Sequence, residues 1–445
     1  MRIKGVEALA EDARILIVSK DEFVTPLAEG LAKLGWPAVV ARGASAGLAA
    51  VSDRRIEGAV VDLAAGDDMV TLGKRLKEAS APRHLPTIAI GQPNPAMEGF
   101  DLVLGAPLHP AQAALRLESL VRMAVAEEEF ELRRRTFTER GRTLPLPPAS
   151  AAPFRILAIG EPAPQFLALS NALARLGADV VGAFTAYTAF DYLHERPFDA
   201  VVLWAGENEA EAMSIAAGMR RNTRLYHVPT LLYLSQGSKI TMAEAFHRGV
   251  SDIASPVTAE DETARRVVEL ARAYRRQSAI RNALEKARSS GLMDAATGLF
   301  TRDLFATHLA RLAKAAQERN RALSVCVLKI ADSPTIVSAR AGGWLDRAIP
   351  QIGSMIGRLV RAEDTAARLA PEVFALALPS TPLAAARTAA ERITAVIGCT
   401  AFDAGDGKSP FVADFEIGVA ELEEGDDAAH ALEHAAFRAL HRKAG

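Results

Sequence analysis

Two residues three apart, Arg361 and Asp364, carry the clearest chemistry in this chain of 445 residues. An arginine fork grips phosphate oxygens through paired N–H donors, and the same fork matches the acceptor edge of guanine. An aspartate accepts hydrogen bonds from ring N–H and amino donors. Five residues, TAARL, separate this pair from Ala370-Pro371-Glu372-Val373-Phe374. In that second stretch only Glu372 is acidic, Ala370 carries a side chain and Pro371 has no N–H. A turn of this composition is poorly made for cradling phosphates against bare backbone. A further carboxylate, Asp62, closes the apolar run GAVVD, at the strand end where parallel sheets present their sites.

The elements that must hold these residues are legible as short apolar runs. RILIV (14–18), PAVVA (37–41), GAVVDL (58–63), LPTIAI (85–90) and DLVLG (101–105) alternate with helical stretches such as EFVTPLAEGLAKLG, closed by Gly35. Such alternation predicts a doubly wound parallel sheet. The pattern then repeats: RILAI (155–159) follows RILIV, Gly177 follows Gly35, AVVLW (200–204) follows AVVD, and Pro229 follows Pro86. Between the copies, 127–153 begins charged, able to extend a helix, and ends rich in Pro, Ala and Ser, as a linker does. From Thr258 to about Ser290 the composition favours helix, with Val267, Leu270, Ala271 and Tyr274 in helical period. Beyond it, SVCVLKI (324–330) and VFALALP read as strands. Ile349, Ile352, Ile356 and Leu359 form an apolar helical stripe suited to a core, within a helix from about Gly343 to Arg361. FEIGVAEL (415–422) is a further strand, and a terminal helix runs toward Lys443 and Gly445.

Composition sets the bounds. The chain is 49% hydrophobic and 24% charged with a net charge of −2, ordinary for a globular protein and unlike a nucleic-acid or membrane-surface binder. Its two cysteines, Cys326 and Cys399, lie in apolar, strand-like surroundings and read as reduced core thiols. No apolar run approaches the ~20 residues of a membrane span, and no signal peptide opens the chain. These features point to a cytoplasmic protein without direct membrane insertion.

Each copy in the first part of the chain resembles a response-regulator receiver domain. The resemblance implies an acidic pair after the first strand, a phosphoacceptor Asp after the third, a hydroxyl after the fourth and a Lys after the fifth. In the first copy Asp62 stands at the phosphoacceptor position, but the acidic pair is Ser19-Lys20, with Asp21 and Glu22 one step late. The hydroxyl position is Gly91, and Ala106 precedes Pro107 in place of Lys. In the second copy the corresponding residues are Gly160-Glu161, Trp204 and Ser255 before Pro256. A divalent cation lacking its carboxylates binds poorly. The resemblance therefore implies scaffolds that pair the chain into a homodimer, with Asp62 as the one possible phosphoacceptor.

Residues 291–445 resemble the GGDEF domains that make or sense cyclic di-GMP. Asp294, Thr297, Gly298, Leu299 and Arg302 match the family's opening D-x-L-T-G-L-x-N-R, and Arg361-x-x-Asp364 matches its allosteric product site, five residues before the GGDEF turn. The resemblance adds Arg392, on the helix after the hairpin, as a third ligand-binding residue. The catalytic positions depart from the family: its two metal carboxylates fall on Lys329 and Ala331, its guanine-reading Asn on Val337, and its turn on Ala370-Pro371-Glu372-Val373, while Asp346 keeps a partner position. A working cyclase needs those carboxylates to hold Mg²⁺ on the triphosphate.

The expected architecture is α/β: two doubly wound, flavodoxin-like receiver domains followed by a GGDEF-type α+β domain like that of nucleotidyl cyclases. Its expected parts are receiver-like 1–126, linker 127–153, pseudo-receiver 154–275, connecting helix 276–290 and degenerate GGDEF domain 291–445. The resemblance implies a catalytically inactive cyclic di-GMP receptor without cofactor or metal, recruiting protein partners of a polar cell-cycle and proteolysis pathway. Two rivals stand beside it: a residual diguanylate cyclase or GTP-binding protein, and a regulator driven by phosphorylation of Asp62.

Overall fold

The computed structural model describes residues 6–8, 14–22, 24–92, 96–106, 108–145, 151–206, 209–287, 291–405, 407–423, 425 and 427–440. Pro107, part of 127–153, the end of the 276–290 helix and the terminal Lys443 and Gly445 named above lie outside them. Three sheets organise the chain. The first uses β1 (Val6–Ala8), β2 (Ile15–Val18), β3 (Ala38–Ala41), β4 (Gly58–Asp62), β5 (Thr87–Ile90) and β6 (Leu102–Leu104), in the order β1-β3-β2-β4-β5-β6. Strands β2 to β6 are parallel, and β1 adds an antiparallel edge on β3. The second sheet, β7 (Arg155–Ile159), β8 (Asp179–Ala183), β9 (Ala200–Ala205), β10 (Thr230–Leu234) and β11 (Asp252–Ala254), runs β11-β10-β9-β7-β8. Leaving β1 aside, both sheets share the flavodoxin-like order, in which the second strand flanks the first and the third lies on its other side. Most strands of the first sheet are buried and apolar, as expected where helices cover both faces, whereas the edge strand β8 of the second is largely exposed.

The third sheet differs in kind. Strands β12 (Phe300–Thr301), β13 (Leu323–Ile330), β14 (Thr365–Ala370), β15 (Val373–Pro379) and β16 (Phe415–Glu421) run β12-β14-β15-β13-β16. Here β13 is central and antiparallel to both β15 and β16, while β14 and β15 form a hairpin. One face is packed by helix Trp344–Leu359, whose Ile349, Ile352, Ile356 and Leu359 are buried together, as their spacing predicts. Gly353 of that helix lies so close to Thr297 that an added Cβ would stand 2.4 Å from the threonine Cβ. Helix Arg302–Glu318 lies on the other face.

By compactness the chain divides into two units. One comprises Met1–Val125, Val202–Met213 and Thr230–Ala259; the other comprises Ala126–Val201, Ser214–Pro229 and Glu260–Gly445. The charged first half of 127–153 extends a helix, as its composition allowed. Helix Pro110–Glu139 is continuous over 30 residues, so 127–139 is helix and not tether. Its charged residues mask an apolar stripe: Phe130, Leu132 and Phe137 pack with Phe300, Leu304 and Phe305 in one cluster. Helix Glu260–Lys286 is likewise unbroken across position 276. Cys326 is buried in β13 as expected, but Cys399 is exposed, at the end of helix Leu383–Gly398.

Between the helix Pro110–Glu139 and the third sheet's helix Arg302–Glu318 lies a buried polar network. Glu129 and His308 are 1% and 0% exposed, and the imidazole Nε2 lies 2.8 Å from Glu129 Oε1. Thr136 Oγ1 meets the other ring nitrogen at 3.0 Å and accepts from Arg311 Nε at 3.1 Å. Burial, aided by the charges of Arg133 and Arg311, holds the imidazole below its ordinary pKa against the pull of Glu129. The unfolded chain binds a proton there below about pH 6.5 and the folded chain resists it. Stability should therefore fall as pH drops below about 6.5, by about 1.4 kcal/mol for each unit by which the pKa is depressed. Urea midpoints at pH 7.5 and 5.5 should show a smaller loss in His308→Gln than in the wild type. Equal losses would mean that His308 titrates normally in the fold.

Candidate functional site

Arg361 and Asp364 lie in a turn between two elements, not at a helix end. Helix Trp344–Leu359 stops where Val360 turns extended, and β14 begins at Thr365. The Arg361 N–H donates to Asp364 Oδ2 at 3.0 Å, and the Asp364 N–H donates to the Arg361 carbonyl at 3.3 Å. The aspartate thus ties its own turn, and is 6% exposed. Arg361 is half-buried. Its guanidinium has no hydrogen-bonding or ion-pair partner among the described residues.

The turn opens on a cleft of about 1320 Å³, ample against the ~300–1,000 Å³ of ordinary ligand pockets. Arg224, Arg272, Arg281 and Arg358 line it with Arg361 and Asp364. His227 Nε2 meets the Arg358 carbonyl at 3.0 Å across part of the wall. Burial lowers the pKa of Arg281, opposed by Tyr274 and by the carboxylate of Glu363, itself a buried member of the 361–364 turn. Asp199 and Glu285 also line the cleft, but arginines outnumber its carboxylates, so it is a concave basic surface with Asp364 on its tied turn, a chemistry suited to a polyanion that also carries N–H donors.

Arg392 is not part of that wall. It stands exposed on helix Leu383–Gly398, with its guanidinium 5.9 Å from the Tyr226 ring. Arg220, bonded to the Tyr226 carbonyl, is pushed down to about 10 by burial, with Tyr226 opposing and Arg392 adding to the effect. The structure therefore joins Arg361 and Asp364 in one turn and sets Arg392 in a separate cationic group around Tyr226. Sequence reasoning passed over Arg224, Arg281 and Arg358. Arg281 sits in a helix whose composition reads as solvated, and only the packing reveals which arginines face inward.

The β14–β15 hairpin and the strand beside it are closed by their own charges. Lys329 Nζ donates to Glu416 at 2.8 Å, which raises the lysine pKa. Arg340 grips both oxygens of Glu372 at 2.7 Å and reaches Asp332 at 2.7 Å. Its pKa is raised by these two partners, Glu372 foremost. Val337 is exposed, and Pro371 offers its carbonyl to Arg368. Among the described residues no group of three His, Cys, Asp or Glu is placed to hold a metal. At the opening of this domain, Asp294 accepts from Thr297 N–H and Oγ1 at 2.9 and 2.7 Å around Gly298, whose φ of 70° suits glycine. Burial works to raise the Asp294 pKa, but these bonds and Arg368 outweigh it and hold the carboxyl low.

In the first sheet, Asp62 ends β4 with both oxygens engaged. Ser19 Oγ donates to Oδ2 at 2.8 Å and the Ala64 N–H to Oδ1 at 3.0 Å. Asp62 and Ser19 are buried, at 5% and 0% exposure. The serine hydroxyl occupies the place where the receiver resemblance puts an acidic pair. In the second sheet Trp204 lies flat on Tyr233, with ring centroids 4.1 Å apart.

With this geometry in view, comparison with known proteins finds that residues 291–444 match the model of the family described as diguanylate cyclase, GGDEF domain. The response regulator PleD of Caulobacter vibrioides is 24% identical over 376 residues, covering 81% of each chain. Among solved structures, the GGDEF domain of DgcB from Caulobacter crescentus, in complex with c-di-GMP, is 23% identical over 33% of this chain and 84% of its own, with a TM-score of 0.31. The FimX GGDEF domain from Pseudomonas aeruginosa is 21% identical over 35% of this chain and 96% of its own, with a TM-score of 0.32.

The engagement of Asp62 yields an expectation. Asp62→Asn keeps an acceptor for the Ala64 N–H and a partner for Ser19, so stability should change by no more than about 1 kcal/mol. Acetyl phosphate with Mg²⁺ should leave the wild type unlabelled. Labelling that disappears in Asp62→Asn would establish a phosphoacceptor.

Proposed function

We propose that this chain, whose residues 291–444 match the GGDEF domain and whose wider similarity is to a response regulator, is a cyclic di-GMP receptor without cyclase activity. One contrast carries the reading. Arg361 offers a basic cleft a guanidinium without a partner among the described residues, whereas Glu372 and Lys329 are consumed by Arg340 and Glu416. A dianion with two guanines finds its donors and its acceptor at the first place. At the second, an arginine stands against the carboxylate that a Mg²⁺ ion would need. Arg361 and Asp364 are the proposed first contacts, with Arg392 as a more distant arm. The reading calls for no cofactor or metal.

In this reading the first two sheets are receiver domains that have lost phosphotransfer and act as scaffolds. Ser19 bonded to Asp62 and Trp204 stacked at the second site support it. The chain works as a homodimer that recruits protein partners. The architecture resembles that of PopA, a polar cell-cycle effector, and on this reading those partners belong to regulated proteolysis at a cell pole. No described helix is long and apolar enough to cross a membrane. A cytoplasmic location concentrated at the pole fits this role.

Isothermal titration with cyclic di-GMP tests the reading. Each charge-assisted bond lost is worth about 1.5–3 kcal/mol, so Arg361→Gly should weaken binding roughly 10- to 100-fold. Asp364→Ala should weaken it as well, through the guanine acceptor and the tie on the turn. Glu372→Ala should leave it unchanged, and GTP with Mg²⁺ should give no product. Loss of binding in Glu372→Ala but not in Arg361→Gly would move the ligand to the hairpin and overturn the assignment. Light scattering on the full chain at tens of micromolar should return twice the monomer mass. A monomer mass would remove the dimer from the proposal.

A further inference from the structure

The 361–364 turn is held from behind by a residue far from it in sequence. Arg133, on helix Pro110–Glu139, is 1% exposed. Its Nη2 donates to the Asp364 carbonyl at 2.7 Å and to Thr365 Oγ1 at 3.2 Å. Its Nε lies 2.6 Å from Glu129 Oε1, one helical turn back. The same carboxylate oxygen receives Thr365 Oγ1 at 3.2 Å and His308 Nε2 at 2.8 Å. Arg133 also lines the basic cleft beside Arg361 and Asp364.

We propose that Arg133 is a positioning residue for cyclic di-GMP, stapling the Arg361–Asp364 turn to helix Pro110–Glu139 so that ligand occupancy and the order of that helix are coupled. The proposal rests on the receptor reading above. Asp364 is held twice. Its side chain closes the turn on the Arg361 N–H, and its carbonyl is fixed by Arg133. Among the described residues the Arg361 guanidinium has no partner, so the direction of its side chain depends on the backbone of this turn. A lysine can keep the charge beside Glu129, but one ammonium cannot reproduce a planar fork spanning a carboxylate, a carbonyl and a hydroxyl. The coupling is reciprocal by linkage: whatever the ligand gains from an ordered turn, the helix gains from the ligand.

The test uses the full-length chain and two variants. Arg133→Lys keeps the buried charge. Glu129→Gln with Arg133→Met removes both charges together and avoids stranding either one. Thermal unfolding identifies variants that remain folded. Hydrogen exchange of the amides at 361–366 is then read without ligand, and cyclic di-GMP affinity is read by titration. Both variants should exchange faster at 361–366 while exchange across β13 is unchanged, and both should bind at least about fivefold more weakly. In the wild type, saturating cyclic di-GMP should slow exchange in residues 126–139. Wild-type exchange at 361–366 together with wild-type affinity in either folded variant would overturn the proposal. If the wild type binds no cyclic di-GMP, the receptor reading fails. The apo exchange data would then decide by themselves whether Arg133 holds the turn.

Discussion

A single buried carboxylate, Glu129, sets the terms for much of the second unit. It is 1% exposed, and Arg133, His308 and Thr365 converge on its Oε1. Stranding a buried charge by removing its partner costs about 3–5 kcal/mol, so these groups are held as a set. The members come from three elements: helix Pro110–Glu139 supplies the acid and the arginine, helix Arg302–Glu318 the histidine, and β14 the threonine. Hydrophobic packing of Phe130 and Phe137 against Phe300 and Phe305 brings these elements together without demanding one registration. The polar network supplies the registration, because hydrogen bonds fail over fractions of an ångström.

The two places in the third sheet's domain where nucleotide chemistry is expected have opposite electrostatics. At the hairpin, acid and base neutralise each other in Arg340–Glu372–Asp332 and Lys329–Glu416. These are largely exposed pairs, each worth little to stability. They nonetheless set the cations of Lys329 and Arg340 beside the carboxylates of Glu416 and Glu372. At the 361–364 turn, the carboxylate is spent on backbone and the guanidinium has no partner among the described residues. An arginine without an internal partner beside others of its kind is electrostatically unfavourable unless an anion offsets it. This is the electrostatic difference between the cleft and the hairpin.

Helix Pro110–Glu139 shows how one element serves two cores. Near its start, Ala113 and Leu117 pack into the first sheet, and Arg116 makes a buried ion pair with Asp252. Past Ala126 it belongs to the other core, through Phe130 and Phe137. Its charged composition concealed this, because a helix buried on one stripe needs few apolar residues per turn.

The residues by themselves determined the strand and helix pattern of the parallel sheets, the apolar stripe Ile349–Ile352–Ile356–Leu359 and the pairing of Arg361 with Asp364 before a proline-containing hairpin. Those features are local. Period, turn chemistry and motif spacing are written along the chain and survive any arrangement of its parts. Only the tertiary structure decided that Arg361 and Asp364 are tied in one turn, that Arg392 stands with Tyr226 outside the cleft, and that Cys399 is exposed. It also decided that 127–139 is a packed helix, and that Arg133, 231 residues before Asp364, holds that turn's carbonyl. No local pattern encodes such contacts. Which of many arginines meets a given carbonyl depends on the docking of whole elements, and that is fixed by burial summed over residues distant in sequence.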